Sequence, residues 1–139
     1  MNKISPKVFV DSSFFKAIID KRDDFNKEAN KIWVKLEKEK VILITSNYIL
    51  DETFTLIRTK CGLKIVNAFR ENLAESSKVL KFVRITINDE AEAWNWFLND
   101  WSKLSFTDCV SFAVMKRLKL TRAATFDQHF KKAGFKIEK

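Results

Sequence analysis

At 139 residues, with 46% hydrophobic side chains that include 13 Phe and 4 Trp, the chain suits one domain over residues 1–139 with a sizeable core. Only 2 Gly and 1 Pro interrupt it, and no run reaches the roughly 18 apolar residues a membrane helix needs, so neither a flexible linker nor a membrane span is expected. Lys and Arg outnumber Asp and Glu by 26 to 18, a formal charge of +8, which favours an anionic partner and nucleic acid first.

Residues 7–11 hold a short apolar run that ends in Asp11 and reads as a first buried strand. Ser12 or Ser13 caps a short helix over 14–19. Residues 24–40 then form an amphipathic helix with Phe25, Ala29, Ile32, Trp33 and Leu36 on one face. Residues 41–44 are too apolar for a wet face and predict a second strand. Ser46 or Asn47 caps the next helix, which carries Glu52, runs to Cys61 and stops at Gly62. A further helix over 63–77 turns Val66, Phe69 and Leu73 inward. Residues 82–87 are the third strand candidate. Asn88 caps the following helix, with Asp89 and Glu90 favourable in its first turn. Its buried stripe is Ala91, Trp94, Leu98 and Trp101, which leaves Trp96 as the better surface residue. Residues 105–118 are almost continuously apolar and predict a helix in the middle of the domain. A short strand over 122–125, a helical turn or two over 127–132 and an edge strand over 135–137 complete the chain.

Strands alternating with helices imply a parallel sheet covered on both faces. Ligands bind such sheets beyond the carboxyl ends of the strands, where Asp11 and Asp127 both fall. The two cysteines, Cys61 and Cys109, lie in helical apolar patterns without a CxxC motif, and buried reduced thiols are expected. With no apolar signal core near the N-terminus, the expected location is cytoplasmic.

Four carboxylates stand out against this basic background: Asp11, Glu52, Asp108 and Asp127. Three have ordinary readings. Asp11 follows a strand as a helix cap would, Asp108 sits at capping-box spacing from Ser105, and Asp127 occupies a helix first turn. Glu52 is mid-helix, with Tyr48, Ile49, Thr55 and Leu56 at neighbouring helical positions, where an unpaired carboxylate is costly. A hard divalent cation held by all four explains them together and points to phosphodiester chemistry. Oxygen donors and a single histidine, His129, select Mg²⁺ or Mn²⁺ over zinc. His129, beside Phe130, reads as a packing or capping residue.

The order of these acids, with the segments 8–13, 49–53, 104–113 and 125–130 around them, resembles the PIN domain family and, within it, the VapC-type ribonuclease toxins. The resemblance spans essentially the whole chain. It implies a three-layer α/β/α sandwich with a mostly parallel four- to five-stranded sheet, and a metal-dependent endoribonuclease site. Asp11, Glu52, Asp108 and Asp127 match the family's metal-binding acids, Ser12 its polar residue after the first Asp, and Thr125 its hydroxyl before the last acid. It further implies an RNA substrate, a homodimer and a small antitoxin protein whose tail occupies the active-site groove.

Basic residues that would contact phosphates gather in three groups: Arg58, Lys60 and Lys64; Lys116, Arg117, Lys119 and Arg122; Lys131, Lys132 and Lys136. Two other readings stand beside the toxin. One is a solitary PIN nuclease in RNA processing. The other is a non-enzymatic Mg²⁺-binding receiver-like module, which would cluster two acids early in the chain; here they are spread from Asp11 to Asp127.

Overall fold

Val8, Phe9 and Val10 are wholly buried, and that sets β1 (Lys7–Val10) in the middle of the sheet. A computed structural model describes residues 4–139. After β1 come α1 (Ser12–Ile19), α2 (Asn26–Glu39), β2 (Ile42–Ser46), α3 (Asn47–Cys61), α4 (Leu63–Glu75) and β3 (Leu80–Val83). The second half comprises α5 (Ile87–Phe97), α6 (Phe106–Arg117), β4 (Arg122–Ala124), α7 (His129–Lys132) and β5 (Lys136–Ile137).

The five strands pair in parallel in the order β3-β2-β1-β4-β5, as the α/β reading expected. The chain starts centrally, works outward to one edge, then crosses to the other side of β1. The order therefore reverses between β1 and β4, and their carboxyl ends diverge into a crevice there. Phe9 faces Ala123 and Val10 faces Ala124 across this junction, and the Asp11 N–H donates to the Ala124 carbonyl at 3.1 Å. α6 is buried along Asp108 to Met115, the central helix its apolar sequence predicted.

Several boundaries differ from expectation for physical reasons. β2 extends to Ser46 because its polar end is satisfied: Thr45 Oγ1 donates to the Val10 carbonyl at 3.0 Å, and Ser46 Oγ caps α3 by accepting from Ile49 N–H. β3 starts at Leu80 and leaves the sheet after Val83, because residues 84–86 lead into the cap of α5. That cap is Thr86 rather than Asn88, and it forms a complete capping box with Asp89. Cys109 is buried and Cys61 half-buried, both as free thiols.

The expected stripe of α5 is corrected most. Asp89, Ala93 and Trp96 face inward, whereas Trp94 and Leu98 are 53% and 78% exposed. Arg117 of α6 holds the Asp89 carboxylate through two bonds of 2.8 and 2.9 Å and thereby turns that face of α5 toward α6. Trp96 packs on Phe112 with ring centroids 5.2 Å apart, while Trp101 lies beyond the helix end. Ala91, Trp94 and Leu98 of the expected stripe do share a side of α5, but it points outward, with Ile87 exposed on it as well.

Candidate active site

Asp11 leaves β1 at the N-cap position of α1, yet its side chain caps nothing. Its Oδ2 instead accepts from Ser13 Oγ and from Thr125 Oγ1, each at 2.8 Å. The residue is 2% exposed. Burial pushes its pKa up, the two hydroxyls oppose the rise, and the nearby Asp127 charge adds to it. The sequence offered Ser13 as a helix cap and not as a site residue. It also accepts from Phe126 N–H at 2.9 Å, so one hydroxyl ties α1 to the loop after β4.

Ser12, the expected supporting residue, serves a different acid: its Oγ donates to Glu52 Oε2 at 3.1 Å. Glu52 is not buried among apolar side chains. Thr53 takes the inward position on α3, fully buried with its hydroxyl bonded to the Ile49 carbonyl, and Glu52 opens toward solvent. Protein still crowds one side of it. That desolvation is the first cause of its raised pKa; Ser12 opposes, and Asp11, Asp127 and Asp51 add to the rise.

Asp108 stands three residues into α6, and its capping box is half made. Ser105 Oγ accepts from Asp108 N–H at 3.0 Å, as the spacing predicted. The carboxylate itself belongs to the cluster, with Asp127 and His129 alongside it. Burial, the adjacent carboxyl of Asp127 and the charges of Asp11 and Asp127 push its pKa up to about 8, against a small opposing effect of Ser105. Two carboxylates this close share a proton or a cation.

Asp127 lies past the end of β4, its backbone N–H bonded to Thr125 Oγ1 at 3.0 Å. Thr125 thus donates to Asp11 and receives from Asp127, linking two acids through one hydroxyl. His129 Nδ1 lies 2.8 Å from Asp127 Oδ1 and 3.7 Å from Asp108 Oδ2. One potential metal-ligating atom each from Asp108, Asp127 and His129 falls within 4.8 Å of the others. The packing role expected for His129 is therefore incomplete. Its ring does stack on Trp101, 4° from parallel, but its buried Nδ1 turns to the acids. Only the fold brings it beside Asp108; no sequence spacing signals that contact.

The donor set fits a divalent cation. Asp108, Asp127 and His129 bring their donor atoms together, Asp11 and Glu52 lie outside that group but feel its charge, and among the described residues none of the four acids has a Lys or Arg within ion-pair distance. A cavity of about 780 Å³ beside Arg122, at the other end of β4, contains none of these acids. Arg122 there is paired with Glu39 and Glu138, and Arg117 is paired with Asp89, so both leave the expected phosphate-binding groups.

A profile of the PIN domain family matches residues 8–136. The chain belongs to the PIN domain family. The 23S rRNA-specific endonuclease VapC20 of Mycobacterium tuberculosis is 33% identical over 129 residues, covering 92% of this chain and 95% of the relative. A crystal structure of Mycobacterium tuberculosis VapC20, described as a Sarcin-Ricin loop cleaving toxin, superposes with a TM-score of 0.81 at 32% identity over 92% of this chain and 95% of the other. FitAcB from Neisseria gonorrhoeae shares the PIN fold alone, with a TM-score of 0.67 at 16% identity over 95% and 96% of the two chains. The crevice between β1 and β4 is thus the carboxyl-end crevice of a PIN domain. Among the described residues, no helix is long and apolar enough to cross a membrane.

Proposed function

We propose that this PIN domain chain, acting as one unit over residues 1–139, is a metal-dependent endoribonuclease that hydrolyses RNA phosphodiester bonds. In this reading it is the toxin of a type II toxin–antitoxin pair, held in check in the cytoplasm by a small antitoxin protein. The observation that supports the reading is that Asp108 and Asp127 stand together beside His129, Asp11 and Glu52 are close enough to shift with them, and among the described residues none of the four has a Lys or Arg partner. The relatives described as 23S rRNA-specific endonucleases support RNA as the substrate class.

These four residues would hold Mg²⁺ or Mn²⁺. When bound, such ions lower the pKa of water and offset charge developing on phosphorus and on the leaving oxygen. The chain's own side chains set the geometry. Ser13 and Thr125 fix Asp11 through one oxygen and leave Oδ1 free of hydroxyl partners. Ser12 steadies Glu52 at the solvent-facing rim. Lys132 places its Nζ 5.0 Å from the centre of the Trp101 ring, which stacks on His129, and is a candidate phosphate contact on that side of the site.

A homodimer accompanies this function, with the outward stripe of α5 as its contact. Ile87, Ala91, Trp94 and Leu98 carry no charge, so a second copy can meet them symmetrically without opposing like charges.

Induced expression without the antitoxin tests the toxin reading. The expected result is growth arrest with new, discrete RNA ends, absent for Asp11→Asn. Arrest without new ends would overturn it.

A further inference from the structure

His129 is the one group at the crevice that a purely acidic metal site does not use. Its Nε2 lies 2.8 Å from the Ser102 carbonyl oxygen. A carbonyl only accepts, so Nε2 carries the hydrogen. In the neutral ring the lone pair is then on Nδ1. That atom is buried and without a hydrogen-bond partner.

What Nδ1 faces is anionic. Asp127 Oδ1 is 2.8 Å away and Asp108 Oδ2 3.7 Å. Asp127 Oδ1 already accepts the His129 backbone N–H at 2.9 Å, and its approach to Nδ1 lacks hydrogen-bond geometry. A lone pair and two carboxylate oxygens directed at one another repel unless a proton or a cation lies among them. A histidine that gives one ring N–H to a backbone carbonyl and turns its other nitrogen to acidic donors has the arrangement of a metal ligand. The stack on Trp101 holds the ring in that orientation.

We propose that His129 Nδ1 is a nitrogen ligand which, with Asp108 and Asp127, completes one cation position and biases it toward Mn²⁺ over Mg²⁺. The bias follows from donor chemistry, since imidazole strengthens binding of first-row transition ions more than that of hard Mg²⁺. This inference rests on the metal-site reading above and adds a residue and a preference to it.

The test is pulsed EPR on Mn²⁺-loaded protein carrying no histidine tag. His129 is the sole histidine of the chain, so any imidazole ¹⁴N coupling to Mn²⁺ belongs to it. The expected result is ¹⁴N modulation in the wild type and its loss in His129→Gln, which keeps a donor for the Ser102 carbonyl. Calorimetry should show Mn²⁺ affinity falling at least about tenfold in that variant, with a smaller change for Mg²⁺. Mn²⁺ bound to the wild type without ¹⁴N modulation would overturn the His129 assignment and leave the four-acid site standing. No Mn²⁺ bound to the wild type would overturn both. The wild-type spectrum decides between these outcomes whether or not the variant folds.

Discussion

Thr125 Oγ1 donates to Asp11 Oδ2 across 2.8 Å, joining residues 114 positions apart at the mouth of the β1–β4 crevice. The same oxygen accepts from Asp127 N–H at 3.0 Å, so it orients two acids at once. Removing it should misplace both without unfolding the sheet. Thr125→Ala is expected to lose about 10- to 100-fold in RNA cleavage, the range for a side chain that orients a metal ligand, while Thr125→Ser retains most activity. Initial cleavage rates on one RNA, with circular dichroism to verify folding, check this.

Asp108 gives the site a pH signature. Its pKa stands at about 8 in the folded chain against an ordinary 3.8, so between those values the folded state binds more protons than the unfolded state. Stability from this group is fully present below the lower value and is lost as pH rises through the upper one. Asp11 and Glu52, also raised, act in the same direction. Asp108→Asn mimics the protonated acid, so in EDTA its Tm advantage over the wild type should widen between about pH 5 and about pH 8. Added Mg²⁺ should reverse it by stabilising the wild type. Thermal melts at both pH values decide, and a gap that stays constant would contradict the assignment.

The pairing of Arg117 with Asp89 holds α5 on α6. Asp89 is 2% exposed, so Arg117→Ala leaves a buried carboxylate without its partner. Because Arg117 itself is partly open to solvent, the expected loss is about 2 kcal/mol rather than the full cost for a sealed pair. Urea unfolding with an unchanged m-value measures it.

The outward stripe of α5 supplies a test of assembly. Leu98, 78% exposed, contributes little to the core of its own chain. Leu98→Asp should therefore leave Tm nearly unchanged while shifting the mass seen by light scattering from dimer to monomer. An unchanged mass would move the interface elsewhere.

Much of this arrangement was legible because local signals and global fold agree. A short apolar run ending in Asp11, a Ser105-to-Asp108 cap spacing and strand–helix alternation each survive in the structure. What sequence could not reveal was phase and proximity. Helix α5 has two apolar faces, and periodicity alone does not say that Arg117 selects the one bearing Asp89 and Trp96. On α3 the buried polar side chain is Thr53, satisfied by back-bonding to the Ile49 carbonyl, so Glu52 faces out where apolar neighbours had suggested burial. Ser13 and Ser12 are adjacent hydroxyls, and only the fold shows that the first serves Asp11 and the second Glu52. His129 meets Asp108 through the tertiary fold alone.

The central claim is that Asp11 and its three companions hold a cation that makes RNA cleavage possible. The most direct measurement compares purified wild type and Asp11→Asn on one RNA with Mg²⁺, and the wild type again in EDTA. The account predicts discrete cleavage only by the wild type with Mg²⁺, and an Asp11→Asn protein that is folded and inactive. Cleavage that survives EDTA, or an Asp11→Asn variant as active as the wild type, would contradict it.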